Sequence, residues 1–159
     1  GVLVPYVHGG GKIGVMINLD TPAGASDAVL ACGKDCALQL AALKAPYLKK
    51  EDVPAEVIES EKKIMLAQMD EDPKMANKPE QVKAKIVEGK VGKYYSENCL
   101  LEQEFVKDGS FTVKKYVEQC AKDAGTTINV IDCVCFERGE GVEKKEDNFA
   151  DEVASMMNK

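Results

Sequence analysis

Hydrophobic and polar residues alternate with a period of two in two segments at the start of the chain, residues 2–8 and 13–20. These segments are rich in Val and Ile, and the combination is typical of strands. Residues 9–11 between them are all glycine, and a glycine cluster between two alternating runs indicates a β-hairpin. A third alternating segment spans residues 126–139, and we expect it to pair antiparallel with one strand of that hairpin.

The first helical segment is apolar on nearly every side. It spans residues 27–43, with only four polar or charged side chains, which predicts a helix covered by the rest of the core. Ser26 is placed to cap its first turn, and Pro46 follows its end.

Two charged helices with narrow apolar stripes come next. The first is expected to start near Asp52, with Pro54 in its first turn, and the second to start behind the capping-box pair Asn77 and Glu80. A narrow stripe covers only its partner, so residues 52–98 are expected to form an antiparallel helical hairpin that projects from the core.

The remaining segments complete the order of elements. Residues 99–110 are expected to be a loop with apolar anchors, Thr112 to cap a fourth helix, and Gly125 to end that helix. A short helix is predicted at the end of the chain. Its apolar residues are Val142, Phe149, Val153, Met156 and Met157. The sum predicts an α+β domain: a three-stranded antiparallel sheet with helices on one side and the projecting helical hairpin.

Composition narrows the range of partners. The chain has 159 residues, 27 acidic and 21 basic, with a net charge of −6, which argues against binding nucleic acid through its phosphates. No apolar run approaches the roughly 18 residues that a membrane span needs, and the start of the chain does not read as a secretory leader. We expect a cytoplasmic protein with no nucleic-acid or membrane partner.

The glycine cluster also contains a nucleotide-binding pattern, because Gly9, Gly11 and Gly14 match GxGxxG. A dinucleotide-binding loop opens a helix whose N-terminus holds the pyrophosphate, whereas these glycines lead into a strand. A P-loop needs Ser or Thr after its lysine, and Lys12 is followed by Ile13. The pattern therefore predicts a hairpin turn, and no cofactor is expected.

Six cysteines leave an alternative function open. Cys32 and Cys36 are four residues apart in the apolar helix, and Cys133 and Cys135 share one face of the third strand. A metal-binding or redox module built on these pairs is possible in principle. The absence of a CxxC spacing favours the simpler interpretation that they are small buried residues.

No catalytic set is evident. His8 is the only histidine and lies directly before the glycines, with no nucleophile near it in the sequence. A rigid, exposed hairpin that ends in one histidine suits recognition of another protein better than catalysis. The residues alone predict an interaction module with a projecting helical hairpin.

Several blocks of the sequence resemble elongation factor Ts of bacterial translation. They are YVHGGGKIGV, AALKAPYL, DVPAEVIESEKKI, KPEQVKAKIVEGKVGKYYSENCLLEQEFVKD and FERGEGVEKKEDNFADEVA. They follow in order over nearly the whole chain. The resemblance implies a non-enzymatic guanine-nucleotide exchange factor that binds the GTPase elongation factor Tu and promotes release of its GDP.

The resemblance also implies a division of the chain. It places the second core subdomain at residues 1–51 and 99–138, an inserted helical coiled-coil hairpin at 52–98, and a C-terminal module at 139–159. The family's exchange motif, Thr-Asp-Phe-Val, follows the second strand of the first subdomain. Here the equivalent place reads Asp20-Thr21-Pro22-Ala23, so these residues are expected to dock on the GTPase rather than to open its nucleotide site.

Two groups of partner-binding residues carry over from the family. One is the histidine–glycine turn, and the other is the helix at the C-terminal end. The residues are His8, Gly9, Gly10 and Gly11, and then Phe149, Val153 and Met156. The first subdomain is expected to cover apolar surface in the family, so a homodimer of this chain alone is also possible.

Overall fold

The computed structural model describes residues 1–142. Its main sheet has three strands, β1 (Val2–His8), β2 (Ile13–Asp20) and a C-terminal strand, Asn129–Glu137, which is the fifth along the chain and is named β5. The strand order is β1-β2-β5, and both pairings are antiparallel. The predicted hairpin and the antiparallel pairing of the third strand are therefore confirmed.

The apolar helix lies across one face of this sheet. It is α1 (Asp27–Leu43), with the bounds that the sequence pattern predicts. Its glycine, Gly33, allows the helix to approach the sheet closely, because a Cβ atom there would lie 2.5 Å from Cγ2 of Val4. The core is formed by one face of the sheet and by this helix. Its fully buried members include Val4, Ile17, Leu19, Val29, Cys32, Cys36 and Leu40.

Two further helices form the projecting hairpin, α2 (Ala55–Glu71) and α3 (Glu80–Asn98). They pack against each other around an apolar cluster that is separate from the main core. This cluster includes Val53, Ile58, Met69, Val87, Val91 and Cys99. The base of the hairpin is fastened to the core by backbone hydrogen bonds, such as those from Leu100 N to Tyr47 O at 2.9 Å and from Leu101 N to Leu48 O at 3.0 Å.

The predicted starts of these two helices are wrong in detail. A separate 3-10 turn occupies Lys50–Asp52, and α2 begins only after Pro54. The expected capping box of Asn77 and Glu80 does not form, since α3 begins at Glu80 behind Pro79 without a side-chain cap. The physical reason is that a residue before proline is disfavoured in the helical region, so the helix cannot include Lys78.

Residues 99–110 are more ordered than the predicted loop. They contain a 3-10 turn (Leu100–Glu102) and the start of a small antiparallel pair, β3 (Glu104–Phe105) and β4 (Asp108–Thr112). A two-residue strand is too short to show alternation, which is why the sequence pattern missed it.

A buried amide pair fastens this small sheet to the main helix. Gln39 is fully buried, and its Nε2 donates to Oε1 of Gln103 and to the carbonyl of Glu104, both at 3.0 Å. Its Oε1 accepts from the backbone N–H of Val106 at 2.8 Å. The amide nitrogen and oxygen of the buried Gln39 side chain therefore both have hydrogen-bond partners, as buried polar groups require.

The last helix described is α4 (Val113–Asp123), which packs beside α1 on the same face of the sheet. The Thr112 hydroxyl accepts from Lys115 N, and Gly125 has φ of 62° after the helix end, so both predicted signals are confirmed. Ser26 occupies the N-cap position of α1, but its side chain makes no capping hydrogen bond. The helices therefore lie on one side of the main sheet, as expected.

Candidate functional site

The glycine cluster forms the turn between β1 and β2. Gly9, Gly10 and Gly11 have φ values of 60°, 65° and 88°, a region that costs an L-residue roughly 1–2 kcal/mol. The turn is closed by a hydrogen bond of 3.2 Å from Lys12 N to the carbonyl of His8. Three successive left-handed residues explain why glycine occupies all three positions, with no need for a phosphate ligand.

The turn leads into a strand, so the GxGxxG match has no helix N-terminus behind it. His8 and Ile13 form the first residue pair of the β1–β2 ladder next to the turn. The geometry thus agrees with a hairpin turn and lacks the element that would hold a pyrophosphate in a dinucleotide site.

His8 is half-buried, and it points to the same face of the sheet as the core residues of β1. Its Nδ1 lies 3.0 Å from the hydroxyl oxygen of Tyr6, and the two ring centroids are 5.9 Å apart. The expected exposed histidine is therefore partly sheltered and is held in place by Tyr6. The three glycines beside it are exposed.

Charged groups lie beside the turn at the same end of the sheet. The backbone N–H of Arg138 donates to the carbonyl of Lys12 at 2.8 Å, which fastens the end of β5 to the turn. Lys44, just past α1, forms an exposed ion pair with Glu137 of β5. The hydrogen bond and charge of this pair raise the pKa of Lys44 and lower the pKa of Glu137, so both side chains stay charged at neutral pH.

The face of the main sheet that α1 does not cover is apolar and exposed. The ladder aligns Pro5, Met16 and Val134 in one row and Val7, Gly14 and Phe136 in the next. The exposed fractions are 67% for Val7, 39% for Met16 and 66% for Phe136. We call these two rows the outer sheet face. A contiguous exposed apolar surface of this kind is typical of an interaction site.

The cysteines pack as small apolar residues. Cys32 and Cys36 are buried in α1, and Cys133 and Cys135 lie on the inner face of β5 against the core. Burial raises the pKa of Cys133 to about 11 and also raises the pKa of Cys135. Metal binding and thiol redox chemistry both need the thiolate, which these surroundings disfavour. Among residues 1–142, no group of three or more His, Cys, Asp or Glu could hold a metal ion.

The second predicted contact group lies outside the described residues. It consists of Phe149, Val153 and Met156. Within the described part of the chain, no helix has the length and apolar character that crossing a membrane requires.

Comparison with known proteins decides the family. A sequence profile described as "Elongation factor TS" matches residues 1–140. The chain belongs to the elongation factor Ts family. An elongation factor Ts from Syntrophotalea carbinolica is 44% identical over 156 residues, which cover 98% of this chain and 50% of the relative.

A second relative gives the same coverage. The elongation factor Ts of Clostridium botulinum strain Eklund 17B is 45% identical over 159 residues, which are 100% of this chain and 51% of that protein. The chain therefore spans about half the length of the curated elongation factor Ts relatives that it matches.

Two features of the site were not singled out from the sequence. Tyr6 was assigned only as a strand residue, although its position two before His8 on a strand places both side chains on one face. The outer sheet face was also missed, although Val7, Met16 and Phe136 each stand at an outward position of the period-two alternation on their strands.

Proposed function

We propose that this chain is the part of an elongation factor Ts that docks on elongation factor Tu. Membership of the family over residues 1–140 is the observation that carries the proposal. The exposed glycine turn beside His8 supports it, because surface loops held by an ordered scaffold often carry binding residues. In the whole protein, such docking serves the exchange of GDP for GTP on elongation factor Tu.

The proposal assigns a part to each segment of the chain. Residues 1–51 and 99–138 form the docking core, residues 52–98 an inserted helical hairpin, and residues 139–159 a second contact module. His8 with Gly9–Gly11 contacts the partner from the core, and the second module contributes the apolar contacts. Those contacts are Phe149, Val153 and Met156.

Docking and exchange are separable in this proposal. The residues that follow β2, Asp20-Thr21-Pro22-Ala23, do not match the Thr-Asp-Phe-Val exchange motif. The 159 residues alone are therefore expected to bind elongation factor Tu without speeding the release of GDP.

The test measures both activities in one experiment. Elongation factor Tu is loaded with a fluorescent GDP analogue, and the chain is added while binding is followed by calorimetry. We expect binding with an unchanged release rate, and His8→Ala is expected to weaken that binding. Glu118→Ala on the exposed side of α4 is the matched control, expected to bind like the wild type. Absence of binding would overturn the docking function, and accelerated release would overturn the separation of docking from exchange.

We also propose that the chain alone pairs with a second copy through the outer sheet face. One free edge of the main sheet, that of β1, carries Pro5, which has no N–H to offer a neighbouring strand, and this disfavours edge-to-edge pairing there. Phe136→Asp is expected to give a monomer in analytical ultracentrifugation. Ile64→Asp, at a similarly exposed apolar position on α2, is expected to leave the dimer intact. A monomeric wild type at all concentrations would refute this pairing.

A further inference from the structure

Among residues 1–142, the contact between Tyr6 and His8 is the one hydrogen bond between a tyrosine hydroxyl and the ring of the single histidine. They lie two residues apart on β1, so their side chains share one face. The hydroxyl oxygen and Nδ1 are 3.0 Å apart, and the ring planes are inclined by 34°. Both residues are half-buried, so water competes only partly for this hydrogen bond.

The chemistry of the two groups sets the direction of the hydrogen bond. A neutral imidazole has one protonated nitrogen that donates and one bare nitrogen that accepts. The phenol O–H is the more acidic donor, and the imidazole nitrogen is the more basic acceptor. These preferences favour the arrangement in which the Tyr6 hydroxyl donates to Nδ1 of His8 and the ring proton resides on Nε2, since a partner on one nitrogen determines the tautomer at the other.

The surroundings of the ring leave Nε2 available to another molecule. Among residues 1–142, no hydrogen bond to Nε2 of His8 is formed, whereas Nδ1 is bonded to Tyr6. The adjoining turn is exposed and carries no side chain at Gly9, Gly10 or Gly11. The backbone of His8 is held by its pairing with Ile13 on β2.

We propose that Tyr6 is a positioning residue that holds His8 in the Nε2–H tautomer and presents this N–H as a hydrogen-bond donor. The group that it recognises on the partner is an acceptor oxygen, a backbone carbonyl or a carboxylate. This proposal rests on the proposed docking of His8 against elongation factor Tu, and it assigns that contact to one atom.

The tautomer can be measured without the partner. The full chain is labelled with nitrogen-15 histidine, and long-range nitrogen–proton correlation spectra are recorded at a pH where the ring is neutral. The single histidine makes the assignment unambiguous. We expect the Nε2–H pattern in the wild type and a larger fraction of Nδ1–H in Tyr6→Phe, which removes only the hydroxyl. Tyr94→Phe on α3 is the matched control, expected to leave the spectrum unchanged. An Nδ1–H wild type, or a ratio unaltered by Tyr6→Phe, would overturn the proposal.

A binding cycle then tests the consequence for docking. One net hydrogen bond corresponds to a change in affinity of roughly two- to tenfold, so Tyr6→Phe is expected to weaken binding to elongation factor Tu by about that factor. In the His8→Ala background the same change is expected to have no effect. An equal loss in both backgrounds would show that Tyr6 acts only on the fold and would overturn its positioning role. If His8→Ala binds like the wild type, the docking contact fails, whatever tautomer the spectra show.

Discussion

The helix α1 approaches the sheet closely at Gly33, and Gly33→Ala is the perturbation that tests this packing. A Cβ atom at this position would lie 2.5 Å from Cγ2 and 3.0 Å from Cβ of Val4, and 3.1 Å from Cδ1 of Leu19. Both neighbours are themselves in the core, with exposed fractions of 1% and 0%. They cannot move aside without disturbing the side chains behind them.

Two opposing contributions set the change in the free energy of unfolding caused by Gly33→Ala. Alanine is favoured over glycine inside a helix by about 1 kcal/mol, which would stabilise the variant. Overpacking of a well-packed core costs about 1–3 kcal/mol, and here the shortest contact is with the Cγ2 methyl of Val4 on β1. We expect Gly33→Ala to lower the free energy of unfolding by up to about 2 kcal/mol, the packing cost less the gain in helix propensity.

Chemical denaturation followed by circular dichroism measures this difference. Gly89→Ala on α3 is the matched control, because it is also inside a helix and its Cβ atom would meet nothing within 4 Å. This control is expected to raise the free energy of unfolding by about 0.5–1 kcal/mol. The double variant Val4→Ala with Gly33→Ala is expected to lose less free energy of unfolding than the two single variants lose together. A Gly33→Ala variant as stable as Gly89→Ala would refute the packing argument.

Three other outcomes follow from particular contacts. Gln39→Met removes the side-chain acceptor of the partly buried N–H of Val106 and is expected to lower the free energy of unfolding by about 1–3 kcal/mol. Gln119→Met on the exposed side of α4 should change it by less than about 0.5 kcal/mol. Gly11→Ala is expected to cost roughly 1–2 kcal/mol in thermal or chemical unfolding because of its φ of 88°. Gly14→Ala, with no positive φ and an open Cβ position, should cost almost nothing, and equal losses would contradict the turn geometry. Burial raises the pKa of the Cys133 thiol from 9.0 to about 11, so near pH 8 this thiol carries roughly a hundredfold less thiolate than an unburied one. Iodoacetamide should therefore label Cys133 far more slowly in the native chain than in urea. Equal labelling rates would contradict its burial.

Local patterns in the sequence were sufficient for most of the elements. The alternation in residues 2–8 and 13–20 and the glycines between them specify a hairpin, because the period of two and the left-handed turn are properties of adjacent residues. The bounds of α1 and the caps at Thr112 and Gly125 were predictable for the same reason. The start of α3 was misplaced because the restriction that Pro79 places on its neighbour outweighs the capping preference of Asn77.

The family was also recognisable from the sequence, since its motifs are blocks of neighbouring residues. The histidine–glycine turn could be located in the same way, but the sequence did not show that His8 is half-buried and bonded to Tyr6. The half-burial of His8 depends on which face of β1 the helix covers, and that face is decided by the packing of α1.

Other features depended entirely on contacts between distant residues. The pair β3–β4 is fastened to α1 by Gln39, more than sixty residues earlier, which hydrogen-bonds the backbone of β3 and of the turn after it. The outer sheet face exists because β5 joins β2 in a register that places Phe136 beside Gly14. Residues far apart in the chain meet only when the core forms. The sequence by itself therefore determined the elements and the family, and the tertiary structure alone decided which of their faces are open to a partner.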